Sequence, residues 1–241
     1  FETFAKLQNA DLSNLPELSS NERIGSCITS PRKFIAIGLN YSDHAAEVGA
    51  DIPKEPIVFM KATSCIVGPN DDVEIVSGSK KLDWEVELGI IIGKEAKHIS
   101  ENQSQDHILG YCLVNDVSER EWQLEKMGQW VKGKSHDTYG PVGPHLVTKD
   151  EISDVNNLKM SLDVNGKRMQ TGNTSTMIFN VDVIVSYLSK YMTLLPGDII
   201  TTGTPPGVGM GMKPQQFLKA GDMMKLSVEN LGEQNSKVVA L

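Results

Sequence analysis

The sequence predicts a mostly β or α+β domain that contains few helices. Short runs rich in apolar and β-branched residues follow one another from Phe34 onward, and Gly, Pro or Asn separates most of them. Helical periodicity is found in two segments, so strands and helices do not alternate regularly as they do in a doubly wound parallel sheet. The expected fold is therefore built mainly from short strands.

The predicted strands all lie within residues 34–241, which we expect to form one domain. They cover residues 34–37, 57–60, 73–76, 84–92, 111–114, 158–164, 198–202, 224–228 and 237–240. Asn165-Gly166 directly follows one of these runs and predicts a tight hairpin, since both residues readily adopt positive φ. Residues 1–33 are polar and irregular, and we expect them to form a small N-terminal appendage.

Two segments have helical patterns. In residues 118–127, Ser118 and Glu121 have the spacing of a capping box. Residues 181–192 place apolar side chains at positions 181, 184, 185, 188 and 192, which fits the 3.6-residue period of an α-helix. We therefore predict one helix over each segment.

Composition and charge exclude several classes of function. The 241 residues carry 23 Lys and Arg against 31 Asp and Glu, which gives a net charge of −8. This balance argues against a general binder of nucleic acid or of anionic membranes, although an anionic substrate needs only a local positive site. Neither a membrane span nor a signal peptide is expected. Three cysteines without a CxxC pair indicate a reducing compartment, so we expect a cytoplasmic protein.

Two glycine-containing segments resemble ligand-binding motifs without the context that those motifs need. Residues 128–135 fit the P-loop pattern GxxxxGKS, but a predicted helix precedes them and Pro141 follows, so we reject nucleotide binding and keep Lys134 as a candidate. Residues 203–211 lack the GxGxxG spacing and predict a rigid loop. That loop is either a plain connector or a segment that presents backbone amides and Thr204 to a ligand.

Three carboxylates interrupt or end apolar runs. Glu85 and Glu87 lie at i and i+2 of a predicted strand and therefore share one face, and Asp116 ends the apolar run 110–115. The pattern alone favours a solvated polar face. If the three carboxylates converge, they form an all-oxygen site that suits Mg²⁺ or Mn²⁺, with Ca²⁺ as a further candidate, and that does not suit zinc.

A second set of candidates combines an acid–base pair with polar and basic side chains. His44 and Glu47 lie at i and i+3 of a short predicted helix, where such a pair is able to activate water as a general base. Arg120 and Gln123 lie one helical turn apart, and Lys134 follows them. Each of these residues also fits an ordinary solvated helix surface, which is the favoured interpretation when it is taken alone.

Taken together, these residues resemble the fumarylacetoacetate hydrolase family over residues 34–241. The resemblance depends on six groups that occur in the family's order: 38–41 with His44 and Glu47, 55–61, 83–88, 115–116 with Arg120, 133–135 with 140–141, and 196–205. Each group is weak by itself, but six in order are specific. The resemblance implies a mixed β-sandwich roll and a homodimer.

The resemblance also implies a role for each candidate residue. The positions of its divalent-metal ligands correspond to Glu85, Glu87 and Asp116. Its water-activating dyad, carried on a mobile lid, and its active-site lysine correspond to His44, Glu47 and Lys134. Its substrate-contacting positions correspond to Tyr41, Arg120, Gln123 and Thr204.

The activity that this resemblance implies is metal-dependent hydrolysis of a C–C bond in a small anionic 2-oxo acid. The substrate is a 2,4-dioxo acid, either an acylpyruvate or a 2,4-diketo-3-deoxy sugar acid, and the products are pyruvate and a carboxylic acid. Ala62 stands where many members have Pro. Together with residues 116–121, this departure is similar to a branch named as ureidoglycolate lyase or 2,4-diketo-3-deoxy-sugar-acid hydrolase.

Other reactions remain open because the same site stabilises an enolate however the enolate forms. They are ureidoglycolate cleavage, oxaloacetate decarboxylation and isomerisation of 2-hydroxyhepta-2,4-diene-1,7-dioate. A metal-stabilised binding module without turnover is the alternative from a different class of protein.

Overall fold

The computed structural model describes residues 10–11, 13–17, 19 and 22–241. Most regular elements are strands, and the strands form several sheets, which confirms the predicted α+β class. The predicted appendage, residues 1–33, lies partly outside the described residues, and its separation from the domain stays a prediction. Within the described residues, every helix is too short or too polar to cross a membrane.

The strands follow one another along the chain as β1 (Phe34–Gly38), β2 (Ile57–Lys61), β3 (Ile66–Val67), β4 (Val73–Ile75), β5 (Leu82–Asp83), β6 (Val86–Ile92), β7 (Ile108–Asn115), β8 (Ser118–Glu119), β9 (Gly140–Pro141), β10 (Val147–Thr148), β11 (Lys159–Val164), β12 (Lys167–Asn173), β13 (Ile199–Thr201), β14 (Met223–Val228) and β15 (Gly232–Ala240).

In the part of the chain that the structure describes, the helices are few and short, as the sequence predicts. The α-helices there are α1 (Ser42–Val48), α2 (Val131–Lys134) and α3 (Val181–Tyr191). Single turns of 3₁₀-helix lie at Thr63–Cys65, Lys149–Glu151, Val155–Asn157, Thr174–Thr176 and Gly209–Gly211, a longer one spans Glu101–His107, and a π-helical turn covers Glu121–Glu125.

Two larger sheets enclose the core. One has the order β10-β7-β6-β13-β1-β2, in which β1 and β13 are parallel and the other pairs are antiparallel. The other has the order β12-β11-β14-β15-β4. Buried apolar side chains of both sheets form one cluster, to which Leu88 and Leu113 contribute from the first sheet and Leu162 and Leu226 from the second. Apolar burial between two sheets is the main stabilising contribution in such an architecture.

Local signals in the sequence identify the hairpin and one helix correctly. Asn165 and Gly166 connect β11 to β12 with φ values of 51° and 75°, as expected for a turn with two left-handed residues. The helix predicted over 181–192 is α3, and the side chain of Asn180 caps it by accepting a hydrogen bond from the backbone N–H of Val183 at 3.0 Å.

The helix predicted over residues 118–127 is wrong in its first part. Ser118 and Glu119 form β8, which pairs with β5, and only one π-helical turn follows. The Ser118 hydroxyl donates to the backbone oxygen of Asp116 at 2.8 Å instead of capping a helix. Strand pairing with a segment distant in the sequence therefore overrides the local capping pattern.

Candidate active site

The three predicted carboxylates converge at one end of the β6–β7 pair. The antiparallel register places Val86 opposite Asn115, so Glu85 and Asp116 lie next to each other, and the Asp116 N–H donates to the Glu85 backbone oxygen at 2.9 Å. One carboxylate oxygen from each of Glu85, Glu87 and Asp116 lies within 4.8 Å of the others. All three side chains are buried, so these carboxylates do not form a solvated strand face.

Buried cations compensate two of the three carboxylates. Lys134 Nζ lies 2.7 Å from Glu85 Oε2 and 2.7 Å from Asp116 Oδ2. Arg120 Nη2 lies 2.6 Å from Glu85 Oε1. Burial alone raises the pKa of Glu85, but Lys134 and Arg120 outweigh it and bring the pKa below its usual value. Burial alone lowers the pKa of Lys134, but Asp116 and Glu85 raise it overall, so Glu85 and Lys134 are charged at neutral pH.

Glu87 differs from the other two carboxylates because it has no ion-pair partner among the described residues. Its hydrogen-bond donor is the backbone N–H of Gly203, at 2.9 Å. Burial, followed by the charges of Asp116 and Glu85, raises the pKa of Glu87 well above its usual value. A buried all-oxygen cluster with one uncompensated carboxylate fits a hard divalent cation such as Mg²⁺ or Mn²⁺.

Lys134 is positioned by a close approach between helix α2 and the π-helical turn that contains Gln123. Residues 128–135, which fit the P-loop pattern by letters, contain the four-residue helix α2 instead of following a strand. A Cβ at Gly133 would lie 2.3 Å from the backbone oxygen of Glu119 and 2.6 Å from the N of Gln123, so only glycine permits this contact. This approach accounts for Gly133 and brings Lys134 to the carboxylates.

The predicted His44–Glu47 pair is formed on α1. His44 Nδ1 lies 2.9 Å from Glu47 Oε2, and Glu47 Oε1 accepts a hydrogen bond from the Gly207 N–H at 2.9 Å. This arrangement favours the tautomer with the proton on Nδ1, which leaves Nε2 of His44 as a proton acceptor. The pair therefore has the geometry of an oriented general base.

The glycine-rich loop 203–211 holds carboxylates with its backbone amides. Gly203 N–H donates to Glu87, Gly207 N–H donates to Glu47, and Gly209 N–H donates to Asp83 at 2.7 Å. The loop is thus more than a connector, because it fixes three acidic side chains from two separate segments of the chain, residue 47 and residues 83–87. Thr204, at its start, donates to the Val86 backbone oxygen at 2.9 Å.

These elements surround a cavity of about 210 Å³. It is lined by most of the predicted site residues, namely His44, Glu85, Glu87, Asp116, Arg120, Gln123, Lys134 and Thr204. Glu47 reaches the cavity only through its hydrogen bond to His44. The structure therefore brings the carboxylate cluster, the general-base pair and the basic side chains to one place.

Tyr41 is not brought to this cavity, so its predicted contact with substrate is corrected. Its side chain is fully buried, and its hydroxyl lies 3.2 Å from the sulfur of Met160. Its backbone forms a bridge with Met177 just before α1 begins. The backbone bridge and the packing direct the ring into the core. Tyr41 therefore stabilises the start of α1 and does not contact a ligand in the cavity.

Sequence reasoning did not assign a role to Lys61 or Asp83. Lys61 Nζ lies 2.5 Å from Asp116 Oδ1, and Asp83 Oδ2 accepts from Arg120 Nε at 2.8 Å. Both side chains are buried. In each case the sequence signal was a charged residue directly beside an apolar run. A charged side chain at such a position is buried only when it has a partner, so a buried ion pair could have been expected there.

The comparisons with known proteins agree with the family that the sequence resembles. The sequence profile described as fumarylacetoacetate (FAA) hydrolase C-terminal matches residues 33–239. A protein of Burkholderia lata, which is named only as a candidate hydrolase, is 58% identical over 231 residues, or 95% of this chain and 82% of that protein.

Two solved structures have the same fold at substantial sequence identity. Fumarylacetoacetate hydrolase from the psychrophilic Exiguobacterium antarcticum has a TM-score of 0.89 and 38% identity, over 97% of this chain and 84% of that one. The 2-hydroxyhepta-2,4-diene-1,7-dioate isomerase from Mycobacterium marinum has a TM-score of 0.79 and 38% identity, over 90% of this chain and 78% of that one. By profile, sequence and fold, the chain belongs to the fumarylacetoacetate hydrolase family.

Proposed function

We propose that this protein hydrolyses a C–C bond in a small 2,4-dioxo acid and releases pyruvate and a carboxylic acid, with a divalent cation held by Glu85, Glu87 and Asp116. The observation that carries the proposal is that His44 and this carboxylate cluster line the same cavity of about 210 Å³. A bound Mg²⁺ or Mn²⁺ would supply a Lewis acid for the 2-oxo acid end of the substrate.

The chain's own residues supply the acid–base chemistry. His44 Nε2 accepts a proton from water, and Glu47 stabilises the resulting imidazolium through Nδ1. The water oxygen adds to the 4-carbonyl carbon, the C3–C4 bond breaks, and its electron pair leaves with the pyruvate enolate. The charged ammonium of Lys134 stabilises the negative oxygen of that enolate. Proton transfer to C3 completes pyruvate, and the acyl carbon leaves as the carboxylic acid.

The first experiment is a coupled assay of pyruvate release with Mg²⁺ or Mn²⁺, with and without EDTA. Acetylpyruvate, fumarylpyruvate, a 2,4-diketo-3-deoxy sugar acid and oxaloacetate form the panel. We expect metal-dependent cleavage of at least one 2,4-dioxo acid, and Glu85→Ala should abolish it while the protein stays folded. Equal rates with and without the metal would overturn the mechanism, and silence on the whole panel with intact metal binding would favour the isomerase or the ureidoglycolate lyase alternative.

Isomerisation is the second candidate, because a relative of 38% identity is named as 2-hydroxyhepta-2,4-diene-1,7-dioate isomerase. The two reactions differ in their need for an activated water. His44→Ala should therefore abolish pyruvate release in a hydrolase, whereas an isomerase retains its reaction if another group moves the proton. An ultraviolet assay of the dienol substrate, with the unchanged protein and with His44→Ala, separates the candidates. The homodimer and the cytoplasmic location stay predictions.

A further inference from the structure

Beside its charged and polar groups, the cavity has a set of apolar lining side chains, which we call its apolar wall. Its side chains are aliphatic, aromatic or thioether groups, namely Val48, Ile57, Phe59, Leu124, Trp130 and Met210. The rings of Phe59 and Trp130 pack edge to face, with centroids 5.2 Å apart. Lys134 Nζ lies 5.1 Å from the centre of the Phe59 ring, so this ring joins the charged end of the cavity to the apolar wall.

The cations that line the cavity are already paired with protein groups. Arg120 directs Nε to Asp83 and Nη1 to Gln123 Oε1, and its Nη2 lies beside Glu85. Lys134 lies between two carboxylates. Arg120 and Lys134 are the only Lys or Arg side chains among the described residues that line this cavity. A carboxylate at the far end of a substrate would therefore be desolvated against the apolar wall without a partner, which is costly.

The neutral polar side chains Thr204 and Gln123 have limited capacity for a hydroxyl group on the substrate tail. Thr204 Oγ1 donates to the Val86 backbone oxygen and accepts from Gln170 Nε2, and Gln123 Oε1 accepts from Arg120, which leaves the Gln123 amide nitrogen as the donor of this pair. The cavity also lies below the range of about 300–1,000 Å³ that is typical of sites for drug-sized ligands, so the tail is short.

We infer that the substrate is a monocarboxylate whose tail, beyond the 2-oxo acid end, is short, uncharged and apolar. This inference rests on the proposed function and selects among its substrates. It favours a short-chain acylpyruvate over a fumaryl compound, over the dioate that names the isomerase relative, and over a polyhydroxylated sugar acid. The specificity-determining side chains are those of the apolar wall, with Leu124 at the exposed rim.

Matched substrate pairs test the inference by turnover. Crotonylpyruvate and fumarylpyruvate differ only in a terminal methyl or carboxylate, and 2,4-dioxohexanoate and 5-hydroxy-2,4-dioxohexanoate differ only in one hydroxyl. We expect kcat/KM to favour the apolar member by about tenfold or more in the first pair, and to favour it by a smaller factor in the second. Equal values, or a preference for the carboxylate, would overturn the inference while the proposed hydrolysis stands.

A pair of variants tests whether the lack of an unpaired cation in the cavity causes the preference for an apolar tail. Leu124→Arg places a guanidinium at the rim of the cavity, and one charge-assisted hydrogen bond to fumarylpyruvate should raise its kcat/KM relative to crotonylpyruvate by about tenfold. Met127→Arg adds the same charge three residues later, at a highly exposed position that does not line the cavity. It should leave the ratio nearly unchanged, and an equal change in both variants would contradict the assignment.

A binding measurement keeps the inference separate from the reaction. 2-Oxohexanoate and 2-oxohexanedioate cannot undergo this hydrolysis, and they differ only in a methyl or a carboxylate at C6. We expect calorimetry in Mg²⁺ to give at least about tenfold tighter binding of 2-oxohexanoate. That preference in a protein that cleaves no 2,4-dioxo acid would overturn the proposed function alone, whereas equal affinities in an active hydrolase would overturn only the inference.

Discussion

Lys61 and Asp116 form a buried ion pair, with 2.5 Å between Nζ and Oδ1. The same ammonium donates to the backbone oxygen of Lys134. Lys61 thereby connects the end of β2 with α2 and with the residue that follows β7. Because Oδ1 of Asp116 is held by Lys61, its second oxygen faces Lys134.

Replacement of Lys61 by Met should destabilise the metal-free protein. The variant leaves the buried carboxylate of Asp116 with one cationic partner and leaves the backbone oxygen of Lys134 without this donor. Breaking a buried pair in this way costs about 3 kcal/mol or more of the free energy of unfolding. Urea unfolding in EDTA measures the loss, and saturating Mg²⁺ should recover part of it if Asp116 binds the ion.

The control for this prediction is Lys225→Met. Lys225 Nζ lies 2.9 Å from Glu233 Oε2, and both side chains are about half exposed. We expect little change in the free energy of unfolding, since water solvates the partner that remains. A similar loss in both variants would show that the Lys61 pair contributes no more than an ordinary surface ion pair.

Glu87→Gln and Glu85→Gln should have opposite effects on the metal-free protein. Glu87 faces two carboxylates without a cationic partner, so a neutral amide removes repulsion and the free energy of unfolding should be unchanged or higher. Glu85 pairs with Lys134 and Arg120, so the amide leaves buried cations undercompensated and should lower stability by about 3 kcal/mol.

Both variants should lose the increase in melting temperature that Mg²⁺ or Mn²⁺ produces, because each removes one ligand of the cluster. Thermal unfolding in EDTA and then in excess metal measures both effects in one series. A metal-dependent increase that is retained in Glu87→Gln would remove Glu87 from the ligand set. Equal stability of the two variants in EDTA would contradict the assignment of their cation partners.

The features that were predicted correctly depend on short-range patterns. The i, i+2 spacing of Glu85 and Glu87 fixes their common side of the chain, and the Asn165-Gly166 dipeptide specifies its own turn. The apolar period of residues 181–192 likewise identifies α3 from one segment alone. In each case the physical cause lies within a few residues, so the sequence shows it directly.

The remaining features depend on contacts between distant segments. β8 forms at Ser118 because β5 is its pairing partner, and no pattern within residues 118–127 shows that partner. Asp83 receives N–H groups from a loop that follows more than a hundred residues later in the chain. Tyr41 is drawn into the core by packing rather than by its neighbours in sequence. Such outcomes follow from tertiary structure, which a motif does not encode.

Glu47→Gln should slow hydrolysis while metal binding stays intact. The amide keeps the shape of Glu47 but loses the charge that orients His44 and stabilises its protonated form. We expect kcat to fall by about 10²-fold, as for the loss of general-base assistance. Pyruvate release measures kcat, and calorimetry with Mn²⁺ measures the affinity for the metal.

Asp51→Asn is the matched control, because it neutralises an exposed carboxylate shortly after α1. It should leave kcat and metal affinity nearly unchanged. A loss of Mn²⁺ affinity in Glu47→Gln would instead mean that Glu47 acts on the metal centre, and unchanged kcat in this variant would remove the pair from the mechanism.

Gly207→Ala should disrupt the contact between loop 203–211 and α1. Gly207 has a φ of 103°, and a Cβ there would lie 2.0 Å from the backbone oxygen of Met169, so the loop must shift and withdraw its N–H from Glu47. Gly221→Ala is the control, since its φ is 98° but its surroundings are open. Both variants should lose about 1–3 kcal/mol of stability from backbone strain. Only Gly207→Ala should also lower kcat for pyruvate release, and an equal kcat in the two variants would show that this amide does not help to orient the general base.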